Sequence, residues 1–161
     1  MRSKICGPAL LAVALIIGAQ SAAAQNDGTL TSKIELEKLT PGANGRPPAA
    51  SYTAPDVVVP GDRIRVTLSF TNHGDAPAAG VNIVNPIPED LVFDGTDDTS
   101  DFTVSADGGK SFGALADLTV PVAGATPRAA TTADVTHVRW LWTDAVAPGS
   151  TRSVAFFGKV K

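Results

Sequence analysis

The stretch from residue 57 to residue 72, V-V-V-P-G-D-R-I-R-V-T-L-S-F-T-N, limits the fold more than any other part of the chain. Within it Ile64, Val66, Leu68 and Phe70 recur at every second position, and Arg63, Arg65, Thr67 and Ser69 stand between them. A period of two places successive side chains on opposite faces of a strand, one dry and one wet. Wound as a helix, the same residues would mix both kinds on every face. Pro60-Gly61 before the run and Asn72-His73-Gly74-Asp75 after it are turn signals. The run therefore predicts a core strand with the chain reversing at each end.

Other segments repeat the pattern. Residues 29–39 alternate, with Leu30, Ile34 and Leu36 on one face and Thr31, Lys33, Glu35 and Glu37 on the other. They predict a first strand whose charged outer face suits a sheet edge. Residues 41–48, P-G-A-N-G-R-P-P, cannot hold a ladder or a helix and predict a loop. Residues 52–59 read as an extended lead into the core strand. Residues 81–85 predict the next strand, stopped by Pro86 and Pro88, which withhold ladder donors. Short strands follow at 91–93 and 102–105, and Asp107-Gly108-Gly109 predicts a tight hairpin over 105–112. Residues 118–132 are small, proline-containing and weakly patterned, so a long connection is expected. Strand character returns at 136–142, where Val138, Trp140 and Trp142 share a face. After the turn Ala147-Pro148-Gly149, residues 150–160 form the last strand, with Val154, Phe156, Gly158 and Val160 inward. No stretch carries a helical period of useful length, and there is no internal repeat. About seven to nine short strands with turns between them predict an all-β, two-sheet antiparallel β-sandwich.

The first residues belong to a different argument. Arg2 and Lys4 precede an apolar run over 9–19, and Ala22-Ala23-Ala24 supplies a small-residue cleavage site. This order is that of a secretory signal peptide over residues 1–24. The apolar run falls well short of the roughly 20 residues that cross a bilayer as a helix. Taking 24 residues from 161 leaves 137, enough for one domain, residues 25–161. The 13 basic residues lose Arg2 and Lys4 and stand against 16 acidic ones, a net charge of −5. Cys6, the single cysteine, is also lost, so no disulfide can form and the fold must rest on apolar packing. The acidic balance argues against nucleic acid and anionic membranes as partners. The expected location is outside the cytoplasm: periplasmic, secreted or at the cell surface.

Taken in order, Val59-Pro60-Gly61-Asp62, the strand ending Thr71-Asn72-His73-Gly74, Asn85-Pro86-Ile87-Pro88-Glu89, residues 107–112, and Trp140 followed by Pro148-Gly149 form a recognisable series. It resembles the bacterial surface-protein repeat catalogued as domain of unknown function eleven, over roughly residues 34–160. The resemblance implies an immunoglobulin-like sandwich of exported and cell-surface proteins, often in tandem. Here a single copy stands without a visible cell-wall sorting signal.

Candidate sites for chemistry are few. His73 falls in a turn and His137 on the outward face of a strand, and no Gly-x-Ser-x-Gly elbow accompanies them, so catalysis is not expected. Asp94, Asp97, Asp98 and Asp101 form the most acidic stretch and are the candidate ligands of a structural calcium ion, which takes 6–8 oxygens. Their spacing is not that of an EF-hand, and a solvated acidic loop is the plainer reading. Ser105, Asp107, Gly109 and Phe112 fit the Asp-box pattern of sialidase-type propellers, a hairpin stabiliser. Trp140, Trp142, Phe70 and Phe156 are candidates for a carbohydrate-stacking platform, but their alternation places them in the core. The expected role is a non-catalytic structural, adhesive or protein-interaction module working through surface complementarity and sheet edges. The alternative is a filament subunit that donates residues 29–39 to a neighbour. A secreted hydrolase or carbohydrate binder is the rival class.

Overall fold

The computed structural model describes residues 27–42 and 47–161. The signal-peptide reading of residues 1–24 lies outside them. The chain is all-β: β1 (Gly28–Thr40), β2 (Ala49–Thr53), β3 (Arg63–Asn72), β4 (Asn82–Pro86), β5 (Leu91–Phe93), β6 (Phe102–Ser105), β7 (Thr119–Val122), β8 (Ala125–Ala129), β9 (His137–Leu141) and β10 (Thr151–Val160). One sheet has the order β2-β1-β3-β10-β5 and a second the order β4-β9-β6, with every pairing antiparallel.

The alternating run becomes the central strand of the larger sheet because it has two long partners. Ile64, Val66 and Leu68 stand opposite Leu36, Ile34 and Ser32 of β1 on one side, and opposite Gly158, Phe156 and Val154 of β10 on the other. Directly opposed residues share a face, so these side chains form one apolar surface. It meets Ile83, Val104, Val138 and Trp140 of the smaller sheet in a single core. Leu68, Trp140, Trp142 and Phe156 are fully buried. Trp140, Trp142 and Phe156 are thus sandwich filling, while Phe70 is half-buried.

Three expectations need correction. The first concerns the strand over 29–39, which is an edge only up to Glu35 and is paired on both sides beyond it. β1 pairs with β3 from Gly28 to Leu36 and with β2 from Leu36 to Thr40. Its acidic outer residues serve the sheet's outer face instead. Glu37 accepts two bonds from the Arg63 guanidinium at 3.0 Å, and Arg63 also donates to Asp94 at 2.6 Å while covering the Phe157 ring at 3.8 Å. Phe157, outward by alternation, is therefore buried. The second concerns the lead over 52–59. Only Tyr52 and Thr53 of it are strand, within β2, and Val57, Val58 and Val59 stand exposed. The third concerns 118–132, which contains the hairpin β7–β8, turned at Gly124 and irregular between Val120 and Val122. Pro121 and Pro127 hid its alternation. A bidentate Arg128–Asp134 pair, both contacts 2.7 Å, holds the hairpin's returning strand to the following 3-10 turn.

Candidate interaction seam

The two flanks of the sandwich are finished differently. On the flank of β5 and β6 the edges of β10 and β6 are covered. Beyond the short β5 ladder, the acidic loop continues along β10: Asp94 N–H donates to the Phe157 carbonyl, and Phe157 N–H to the Gly95 carbonyl. Thr96 then donates its hydroxyl to the Ala155 carbonyl at 2.5 Å, and the Ala155 N–H donates to Asp98 Oδ2 at 2.7 Å. The Asp98 carbonyl accepts the Trp140 indole N–H at 2.8 Å. This loop substitutes side chains for the missing strand.

The calcium candidates are accordingly spread apart. Asp94 is paired to Arg63, Asp98 to the Ala155 amide, Asp97 is exposed, and the Asp101 carbonyl accepts the Leu141 N–H. Among the described residues no three His, Cys, Asp or Glu side chains gather as a metal site.

The β6 edge is closed by the Asp-box segment. Val104 and Gly113 exchange both backbone bonds. Asp107 ties the intervening loop, accepting from the Ser105 hydroxyl at 2.7 Å, the Ser111 hydroxyl at 2.6 Å and the Lys110 and Ser111 amides at 3.0 Å. These donors, the Ser111 hydroxyl foremost, hold the Asp107 carboxyl well below the ordinary carboxylate range. The result is a stapled turn. His137 lies beside it, with its ring within 3.5 Å of where a Cβ on Gly109 would stand and Nδ1 at 3.2 Å from the Thr136 hydroxyl.

On the other flank the larger sheet overhangs the smaller one. Three strands face five, and among the described residues the inner face of β1 at Leu30 and Ile34 stays outside the core. Leu30 and Ile34 carry the same inward parity as Leu36, yet they are 49% and 50% exposed. Between Leu30 and β4 runs an open groove of about 380 Å³, lined by Gly28, Leu30, Phe70, Val81 and Ile83. Phe70 reaches it because residue 28 is glycine: a Cβ there would lie 2.3 Å from the ring. Behind Phe70 sits Trp142, edge-on at 6.3 Å between ring centres and covered by Arg152. Its buried Nε1–H has no acceptor among the described residues.

The backbone at this flank is open as well. His73 N–H donates to the Asp27 carbonyl, so in the alternating antiparallel pattern the odd residues of β1 bond to β3 and the even ones point away. β2 meets them only from Leu36 onward. Among the described residues the outward N–H and C=O groups of Gly28, Leu30, Ser32 and Ile34 thus have no strand partner. The other edges on this flank are guarded by proline: Pro47, Pro48 and Pro55 bracket β2, and Pro86 and Pro88 end β4. The charges along this open edge are Asp27, Lys33 and Glu35, and the last two pair with each other at 2.7 Å.

No family model matches the chain, and no curated protein or solved structure matches it. Among the described residues no helix is long and apolar enough to cross a membrane. The sequence placed a sheet edge at this strand, but Leu30 and Ile34 read there as ordinary inward positions. Only the unequal strand count of the two sheets exposes them.

Proposed function

We propose that the protein is an exported, non-catalytic interaction module of immunoglobulin-like type, structural or adhesive, placed in the periplasm or at the cell surface. The observation that carries this reading is the contrast between a capped flank and an open one. Exposed sheet edges invite unwanted pairing and are ordinarily blunted. Here four edges, those of β2, β4, β6 and β10, are blunted or covered and one is left free beside apolar side chains at inward-facing positions, the arrangement that strand addition uses. The leader-like first 24 residues and the resemblance to a surface-protein repeat support the location. Edge pairing also fits better than donation of residues 29–39, which would first have to undo the nine-residue register with β3.

A photo-crosslinking side chain tests this in producing cells. Placed at Leu30, it is expected to give discrete protein adducts, whereas at Ser100, on the capped flank, it is expected to give none. Equal labelling at both positions, or none at either, would overturn the reading.

A further inference from the structure

We propose that the free edge of β1 pairs with the same edge of a second copy, antiparallel, with the two-fold axis at Leu30. This rests on the seam reading above and names its occupant. The available edge runs from Asp27 to Glu35, and among the described residues only the even ones lack a backbone partner. A two-fold antiparallel pairing must therefore set even against even in hydrogen-bonded pairs.

Charge and space then select the register. With Leu30 on the axis, Leu30 faces Leu30 and Gly28 faces Ser32. Asp27 meets Lys33 of the second copy on the outer face, twice by symmetry. Moving the axis to Thr31 sets Asp27 against Glu35, two like charges. Moving it to Ser32 sets Gly28 against Leu36, whose free side Thr53 of β2 already occupies. Moving it to Lys33 opposes two lysines. The Leu30 register alone joins unlike charges without a clash. It also turns the two grooves toward each other, because paired sheets keep their inner faces on the same side, and it covers the half-exposed Leu30 side chains.

Disulfide trapping reads the register directly. Facing residues of a hydrogen-bonded pair lie about 5.5 Å apart between Cα atoms, within disulfide reach. In the full chain carrying Cys6→Ser, Leu30→Cys is expected to form a disulfide-linked dimer under mild oxidation, while Ser32→Cys and Ile34→Cys stay single. Sedimentation of the otherwise unaltered protein should show a concentration-dependent dimer. Lys33→Asp should weaken it about tenfold or more, and Asp27→Lys added to Lys33→Asp should restore it. A single-chain mass at the highest soluble concentration, or trapping strongest at Ser32 or Ile34, would overturn the proposal. Adducts from Leu30 to other proteins with no homodimer would overturn it too, while leaving the seam reading in place.

Discussion

The Asp98 carboxylate accepts the backbone N–H of Ala155 at 2.7 Å, doing for β10 what a neighbouring strand would otherwise do. The acidic loop is therefore an edge cap. Its carboxylates are set by the ladder they finish, and they do not converge on a common centre.

Asp98→Ala leaves the Ala155 amide without its acceptor. The expected cost is about 1–3 kcal/mol, read as a lower urea midpoint at unchanged slope. Asp98→Asn, which keeps a carbonyl oxygen, should recover part of it.

Calcium should leave the melting temperature where it is. Asp94 is held by Arg63 and Asp98 by Ala155, so a calcium ion would have to break existing bonds to gather them. Calorimetry with excess calcium and with chelator checks this; a clear upward shift with calcium would mean that the loop rearranges around the ion.

Acid should act through two stapled carboxylates. Asp107, bonded chiefly by the Ser111 hydroxyl, and Asp134, bonded chiefly by Arg128, both lie well below the ordinary value of about 3.9. Groups depressed in the folded state contribute stability that is fully present above their unfolded pKa and is lost as pH falls through the folded one. Stability from these two should be flat from neutral pH to about pH 4–5 and decline below. Asp107→Asn should lower stability at pH 7 and flatten the decline in acid, measured by urea titration across that window.

Two leucines of the same parity should behave in opposite ways. Leu68→Ala removes a fully buried side chain and should cost about 2–5 kcal/mol. Leu30→Ser and Ile34→Ser, at the open overhang, should change stability by less than about 0.5 kcal/mol. They should nonetheless weaken the concentration-dependent dimer, read by sedimentation. A large loss of stability in either would place that residue in the core.

The strands with clean alternation were legible because period two is a property of each strand alone. Ile64 through Phe70 and Val138 through Trp142 needed no partner to announce their inward face. What depends on neighbours was less visible. Glu35 and Glu37 read as an edge signal, but Arg63 lies across the sheet and converts Glu37 into part of a cover over Phe157. The hairpin of β7 and β8 was obscured by proline at positions where its ladder is irregular. The acidic run read as a solvated loop with a calcium alternative, and nothing in its spacing says that Asp98 reaches an amide 57 residues away. The seam lay further still from sight, since it arises from the difference between a five-stranded and a three-stranded sheet.

Residue-resolved hydrogen exchange along β1, at a concentration low enough to keep copies apart, tests the open edge most directly. The account predicts alternation: the amides of Thr31, Lys33 and Glu35, bonded to β3, exchange slowly, and those of Leu30, Ser32 and Ile34 exchange fast. Protection of Leu30, Ser32 and Ile34 equal to that of their odd-numbered neighbours would mean that the protein's own chain already covers this edge, and would contradict it.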